Sequence, residues 1–350
     1  MVNLAPPPCL LFARSAVERL LDLDAVIVAI ESGFRQLGAG GAGQSGVLGL
    51  PLPRGGLHVK AAAFPGGESG RLYLAAKLNV NLPGNPAAHG LPTIQGMLGL
   101  FDAETGSPLA VMDSMALTVL RTAAATAVAA KYLAADQVGS SLTIIGCGAQ
   151  AYAQVAAVHR VRPLSQVSVA DREATAGRRL VGELGARLGV PAKFVDDYRV
   201  ATRESDLIIT CTPSTSPILE PGDVRPGAFI AAVGADSERK SEIAPALLAS
   251  SVVVTDDRQQ CALIGDLHHA LAAGVIADAR GRHRSDGPNP PPARGGAHAA
   301  RRLPIHRRGR RGGVGHHWRR HRSGRGGDDG PADHRRRGGR RSPELPRHAS

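Results

Sequence analysis

The run SLTIIG followed at once by CGAQA, residues 141–151, limits the fold more than any other stretch of the chain. Gly146 and Gly148 stand directly after strand-forming residues and before a helix-forming segment, with Ala151 where a third small residue belongs, a GxGxxA turn. Small residues are needed in such a turn because a dinucleotide's pyrophosphate must approach the backbone closely, beside the N–H groups and positive dipole of the next helix. Asp171 lies 25 residues after Gly146, at the end of the apolar run QVSVAD, where a carboxylate accepts hydrogen bonds from the adenosine ribose. It favours NAD, while the adjacent Arg172 suits a 2′-phosphate and leaves NADP open. A tight turn without a ligand explains a bare glycine match equally well, but here strand, helix, acid and further strands occur in the required order.

From Ser141 onward apolar strands alternate with connecting segments: SLTIIG, a helix to about Arg160, QVSVAD, a helix to about Leu188, then AKFVDD, DLIITCT, AFIAAVG and SVVVTDD. A helix over QQCALIGDLHHALAAGVI closes the series. This rhythm predicts a parallel sheet covered on both faces.

The earlier residues have a different rhythm. DAVIVAIESGFRQL, residues 24–37, puts Val26, Ile30, Phe34 and Leu37 on one helical face, and GAGGAG ends it. Residues 47–112 alternate apolar runs with LPRGG, FPGGESG, NLPGNP and AETGSP, predicting a mostly antiparallel sheet. Its strands are expected at Leu57–Ala63, Leu72–Leu78, Gln95–Asp102 and Pro108–Met112. MALTVLRTAAATAVAAKYLA, Ala-rich and free of Gly and Pro, is the helix that leads out. The expected class is α/β: an α+β substrate-binding and dimerisation domain over 1–135, a Rossmann-type doubly wound dinucleotide domain over 136–276, and a tail over 277–350.

The formal charge of +12 on 350 residues suggests an anionic partner, but it sits at one end. From Asp278 onward there are 20 Arg, no Lys and six acids, leaving −2 on the rest. Four scattered cysteines without CxxC spacing predict reduced thiols and a cytoplasmic protein, and point to no metal. His268 and His269 are adjacent rather than four apart, so ordinary helix residues are expected; Cys147 reads as a packing residue in the turn. No Ser/His/Asp hydrolase signature occurs, and no apolar run reaches membrane-spanning length.

AAKLNVNLPGNPAAHGLPTIQGMLGLFDAETGSPLAVMDSMALTVLRTAAATAVAAKYLA resembles the ornithine cyclodeaminase/mu-crystallin family. The likeness continues through IIGCGAQA, VADREATA, DLIITCTPSTSPIL, AAVGADSERKSEI and GDLHHALAAGVI, covering roughly residues 45–276. It implies that Lys77 and Arg121 hold an amino acid's α-carboxylate between two cations. A solvated strand lysine and a helix-surface charge are the plain alternatives, though an Arg within an Ala/Leu helix is poorly explained as surface.

Asp236 in AVGADS matches the family's catalytic aspartate, just past the C-terminal end of an expected parallel strand. As general base it would take a proton from the α-amine while hydride leaves Cα for nicotinamide; a helix cap is the plain alternative. Thr93, Ala149, Gln150, Thr212 and Lys240, with Arg121, fall where the family contacts its dinucleotide. The family's earlier basic residue is matched by either Arg54 or Lys60.

The resemblance implies conversion of L-ornithine to L-proline and ammonia by hydride transfer to and from one bound NAD, in a homodimer. Ketimine or imine reduction, alanine dehydrogenation and ligand binding without turnover use the same scaffold, so fold and cofactor are better defined than substrate. Nucleic-acid binding through the Arg-rich tail is a reading of another class, and the near-neutral remainder argues against it. The family continues past AAGVI with a helix and a strand that are not found here. Residues 278–350 instead carry the Arg, Gly, Pro, His and Ala mix that GC-rich DNA yields in a shifted frame. Disorder, or a frameshift near 278, is the expectation for them.

Overall fold

The protein is described from a computed structural model over residues 8–39, 43–44, 48–66, 70–135 and 139–276. The expectations for the tail, including nucleic-acid binding, lie outside these residues.

The first half is built on a seven-stranded sheet: β1 (Leu10–Phe12), β2 (Gly43–Gln44), β3 (Leu48–Leu52), β4 (Gly55–Gly66), β5 (Arg71–Asn81), β6 (Ile94–Asp102) and β7 (Pro108–Asp113). The order is β1-β7-β6-β5-β4-β2, with β3 also on β4, and every pairing is antiparallel except β1 with β7. The four expected strands are present and longer than predicted, because the β4–β5 ladder runs unbroken from Gly56↔Asn81 to Gly66↔Arg71.

Side-chain alternation gives this sheet two unlike faces. One row across β3, β4, β5 and β6 is Leu48, Val59, Leu78 and Met97; the next row, on the other face of β4, β5 and β6, is Lys60, Lys77 and Leu98. The first row stays exposed at Leu48, Leu78 and Met97.

Helices α1 (Arg14–Leu20), α2 (Leu23–Gly38), α3 (Asn85–His89) and α4 (Met115–Leu133) accompany the sheet. Asp22 caps α2, its carboxylate accepting from Ala25 N at 2.9 Å, and the chain leaves the helix after Gly38. Helix α4 is Ala-rich because it is enclosed: Ala123, Ala124 and Ala127 are fully buried against Val26 and Ile27 of α2 and against Ala153 and Ala157 of the helix after the glycine turn. The carbonyls of Ala130, in its last turn, and of Ala134 and Ala135, just after it, accept from the three guanidinium nitrogens of Arg162, each at 2.8 Å.

The second half contains β8 (Ser140–Ile145), α5 (Ala151–Val161), β9 (Leu164–Ala170), α6 (Ala174–Leu188), β10 (Ala192–Phe194), α7 (Tyr198–Glu204), β11 (Leu207–Thr210), β12 (Thr215–Leu219) and β13 (Phe229–Ala232). It ends with β14 (Ser241–Ile243), α8 (Pro245–Ala249), α9 (Arg258–Cys261) and α10 (Asp266–Ala272). Five strands form an all-parallel sheet in the order β10-β9-β8-β11-β13, which is doubly wound and changes direction between β8 and β11. One face buries Leu142, Ile144, Val167, Val169 and Ile209 against α5 and α6; the other buries Ile145 and Ile208 with Leu219, Ile243 and Leu247.

Two expectations are corrected. SVVVTDD forms no ladder, Val252 is 93% exposed, and β13 remains the sheet edge. Three β-branched residues favour a strand only where a partner receives them. Here the chain leaves α8 through a turn, Ser251 N donating to Leu248 O, and goes on to place Asp256 among the cations of the first half. The closing helix is also interrupted, into α9 and α10. Gly265 has φ +81°, a Cβ there would lie 2.6 Å from Ala235 O, and its N–H donates to Ser237 O. The short pair β12–β14 and helices α7 and α8 were not anticipated.

Candidate active site

At a topological switch point two neighbouring strands send their following loops apart, leaving a crevice at their C-terminal ends. That crevice lies between Gly146–Gln150, after β8, and Cys211–Thr212, after β11. The two glycines serve different needs. Gly146 has φ +98° and a Cβ there would lie 2.8 Å from Cys211 O, so the turn itself demands glycine. Gly148 has nothing within 4 Å of a Cβ position, and the N-terminus of α5 behind it carries no side-chain cap. Open space in front of a helix N-terminus without a side-chain cap fits a pyrophosphate.

Ala149 is exposed beside Gly148, and Gln150 is the N-cap residue, its Oε1 accepting from Gln154 Nε2 at 3.3 Å. Asp171 follows β9 as expected. Its Oδ2 accepts from Cys147 N at 2.6 Å and its Oδ1 from Glu173 N at 2.8 Å, so it braces the glycine turn while each oxygen keeps a lone pair for a ribose hydroxyl. Arg172 is exposed alongside. Cys147 is buried and its thiol is pushed up to about 12, first by burial and then by Asp171, as suits a packing residue.

The cationic groups come from the first half. Lys60 on β4 and Lys77 on β5 are direct register partners, and Arg121 projects from α4 two turns after its start. Asn79, on the same face as Lys77, accepts from Ser114 Oγ at 2.7 Å and so ties β5 to the residue that begins α4. Burial, then Arg121 and then Lys60, lowers the Lys77 pKa to about 8. Lys60 is lowered by burial and by Arg121, against the opposing pull of Asp256 and Asp236. Arg121 is lowered by burial and raised by the same two acids. Lys60 and Arg121 keep water-accessible surface although protein surrounds them, which is the condition of groups lining an open cleft. Lys60 Nζ also donates to Gln260 Oε1 at 3.2 Å, joining β4 to α9.

Asp236 follows β13 and accepts from Lys240 Nζ at 2.6 Å. Its field reaches Lys60 and Arg121, which in turn act on Lys77, so the expected base lies by two of the three cations. Arg54 is not with them. It is exposed in the β3–β4 turn, six residues or about 20 Å along the strand from Lys60. Thr93 stands before β6, its carbonyl accepting from Leu82 N at 2.8 Å. Thr212 flanks the crevice, but its hydroxyl and its N–H both donate inward, at 2.7 Å, to Glu242 Oε1.

Two acids were missed. Asp256 was assigned to a strand end, and Glu242 lies in SEIAPALL, where a single acid among apolar residues was the available signal. His268 and His269 each place a ring nitrogen on a backbone carbonyl, Ala262 O at 3.2 Å and Lys240 O at 3.0 Å. Among the described residues no group of three His, Cys, Asp or Glu is arranged to hold a metal, and no helix is long and apolar enough to cross a membrane.

The model of the ornithine cyclodeaminase/mu-crystallin family matches residues 10–280. The chain is similar to a solved archaeal alanine dehydrogenase dimer with bound NAD, at 35% identity and TM-score 0.72, covering 77% of this chain and 80% of that one. It is similar also to the Δ1-pyrroline-2-carboxylate reductase of Thermococcus litoralis solved with NADH and L-proline, at 30% identity and TM-score 0.71, covering 76% and 82%. Among curated proteins, the iminosuccinate reductase of Paracoccus denitrificans is 34% identical over 77% of this chain and 82% of its own length.

Proposed function

The chain belongs to the ornithine cyclodeaminase/mu-crystallin family, and from that premise we propose that it is an NAD-dependent enzyme acting at the α-carbon of a small amino acid or imino acid. The observation that carries this reading is the convergence of Lys60 and Lys77 from the first sheet, Arg121 from α4 and Asp236 from the loop after β13. The three relatives are named for oxidation or reduction at such a carbon, two of them in complexes with NAD or NADH.

In this reading residues 1–135 hold the substrate and the dimer contact, and residues 136–276 hold the dinucleotide. Lys77 and Arg121 bind the α-carboxylate, with Lys60 as a third cation at the same end. Asp236 accepts the α-ammonium and takes its proton, and Lys240, donating to one of its oxygens, aims that carboxylate. Bound NAD supplies a hydride acceptor in one direction and, reduced, a hydride donor in the other. Gly148 and the α5 N-terminus receive the pyrophosphate, and Asp171 receives the ribose, favouring NAD over NADP. The exposed apolar row Leu48, Leu78 and Met97 supports a homodimer through the first sheet, and the archaeal relative is named as a dimer.

Ornithine cyclisation to proline is a second reading, favoured by Asp256. With Asp236 it provides two carboxylates near the cations, one for each amine of a diamino acid. Turnover of alanine, proline, pyrroline-2-carboxylate, iminosuccinate and ornithine, each with NAD or NADH, tests both. Net NADH change with a simple amino or imino acid is the expected result. Proline and ammonia from ornithine with only catalytic NAD would establish the second reading, and inactivity on the whole panel would refute both.

A further inference from the structure

Glu242 is fully buried on β14, and its carboxylate accepts four hydrogen bonds. Oε1 receives Thr212 N and Thr212 Oγ1, both at 2.7 Å; Oε2 receives Thr210 Oγ1 at 2.9 Å and Gly234 N at 2.7 Å. Those donors belong to two adjacent segments at the C-terminal edge of the second sheet, the end of β11 and the loop that leads from β13 to Asp236.

The backbone carrying this carboxylate is itself fixed. Asp266 Oδ1, at the start of α10, accepts from Glu242 N at 2.7 Å, Ile243 N at 3.0 Å and Ser241 Oγ at 3.3 Å. The junction has no slack, since a Cβ on Gly234 would lie 2.2 Å from Thr212 O and 2.6 Å from Glu242 Oε1. A buried carboxylate is costly to keep, and apolar packing would stabilise the same space at least as well. What an apolar residue cannot do is hold four donors from two separate loops in one geometry.

We propose that Glu242 is the positioning residue of this enzyme, locking the Thr210–Thr212 segment to the Gly234–Asp236 loop so that the Asp236 carboxylate is presented to the substrate amine. The inference rests on the reading of Asp236 as the base. Glu242 touches neither substrate nor dinucleotide; it acts through the loop.

The test uses Glu242→Gln in the full-length protein. The amide keeps the shape but sets an NH2 group against a backbone N–H, that of Thr212 or of Gly234, whichever way it is turned. Because a displacement of about 1 Å at a reacting group costs on the order of 100-fold in rate, kcat is expected to fall about 10- to 100-fold. KM for the amino acid, whose carboxylate is held on the other sheet, is expected to stay within about threefold. Amide hydrogen exchange of the Gly234–Asp236 loop is expected to accelerate. A merely structural role predicts the opposite pattern, a lower Tm with kcat per folded molecule within about twofold of wild type, and that result overturns the proposal. If Glu242→Gln does not fold, Thr210→Val removes one of the four donors and is expected to lower kcat in the same direction by about three- to tenfold; unchanged kcat overturns the proposal. Asp236→Asn is measured alongside. Turnover lost in Asp236→Asn but intact in Glu242→Gln overturns positioning alone, whereas turnover surviving Asp236→Asn overturns the functional reading and this inference with it.

Discussion

Replacing Lys77 by Met is expected to stabilise the protein at neutral pH while removing substrate binding. Lys77 is half-buried, and every influence on it acts against its charge: burial first, then Arg121, then Lys60. Among the described residues it has no ion-pair partner, and unlike Lys60 and Arg121 it gains nothing from Asp236 or Asp256. A pKa moved from 10.5 to about 8 corresponds to about 3 kcal/mol of disfavoured protonation, at about 1.4 kcal/mol per pH unit. The folded value lies below the unfolded one, so the penalty is complete below about pH 8, shrinks as pH rises, and vanishes above 10.5. Met fills similar volume without a charge. After allowance for water in the cleft, Lys77→Met is expected to gain roughly 1–2 kcal/mol at pH 7 in urea unfolding, and less at about pH 10. Its KM for the amino acid is expected to rise at least about tenfold through loss of a charge-assisted bond. The wild-type KM should rise for the same reason above about pH 8. A Lys77→Met protein that is less stable than wild type at pH 7, or whose advantage does not shrink with pH, would refute the reasoning.

The two glycines of the turn should separate folding from binding. Gly148→Val is expected to leave Tm unchanged and weaken NAD binding at least about tenfold, since its side chain enters the space assigned to the pyrophosphate; calorimetric titration reads it, and unaltered affinity refutes the assignment. Gly146→Ala is expected to cost about 1–3 kcal/mol in unfolding experiments, because its φ of +98° is unfavourable and Cys211 O is in the way. Leu78→Glu with Met97→Glu places charge in the exposed apolar row and, if the chain forms the proposed homodimer through this face, is expected to yield monomers by sedimentation; a wild-type dimer whose mass is unchanged in the variant would refute that assignment. Asp256→Asn is expected to lower kcat/KM for ornithine about tenfold more than for alanine if the second carboxylate receives a second ammonium, and equal losses would remove the support that Asp256 gives to the ornithine reading.

The parts of the fold legible in sequence are those specified by local chemistry. GCGAQA demands small residues whatever surrounds it, and the apolar strands of the second half are continuous because both sheet faces are covered. SVVVTDD shows where such reasoning stops. Its β-branched residues make an equally good local case, yet a strand exists only as half of a ladder, and the chain here is drawn away by Asp256 and by the Gln260–Lys60 bond. The break between α9 and α10 has the same origin, since Gly265 is required by Ala235 O and Ser237 O, nearly thirty residues earlier.

The site divides along the same line. Lys77, Arg121 and Asp236 were proposed because the motifs that hold them resemble the family's, with the arginine in an alanine helix and the acid just past a strand end as supporting local signals. Choosing between Arg54 and Lys60 needed the register, because only the pairing of Lys60 with Lys77 puts it on the cleft face; one residue of slippage would turn it outward. Glu242 lies furthest from what a sequence can disclose. Its partners Thr210, Thr212 and Gly234 come from two other segments, and the signal that it is more than a surface acid is its burial, a property of the packed junction. The residues that would meet substrate are thus the readable ones, while the residue that holds their geometry becomes visible only once β11, β13 and β14 are side by side.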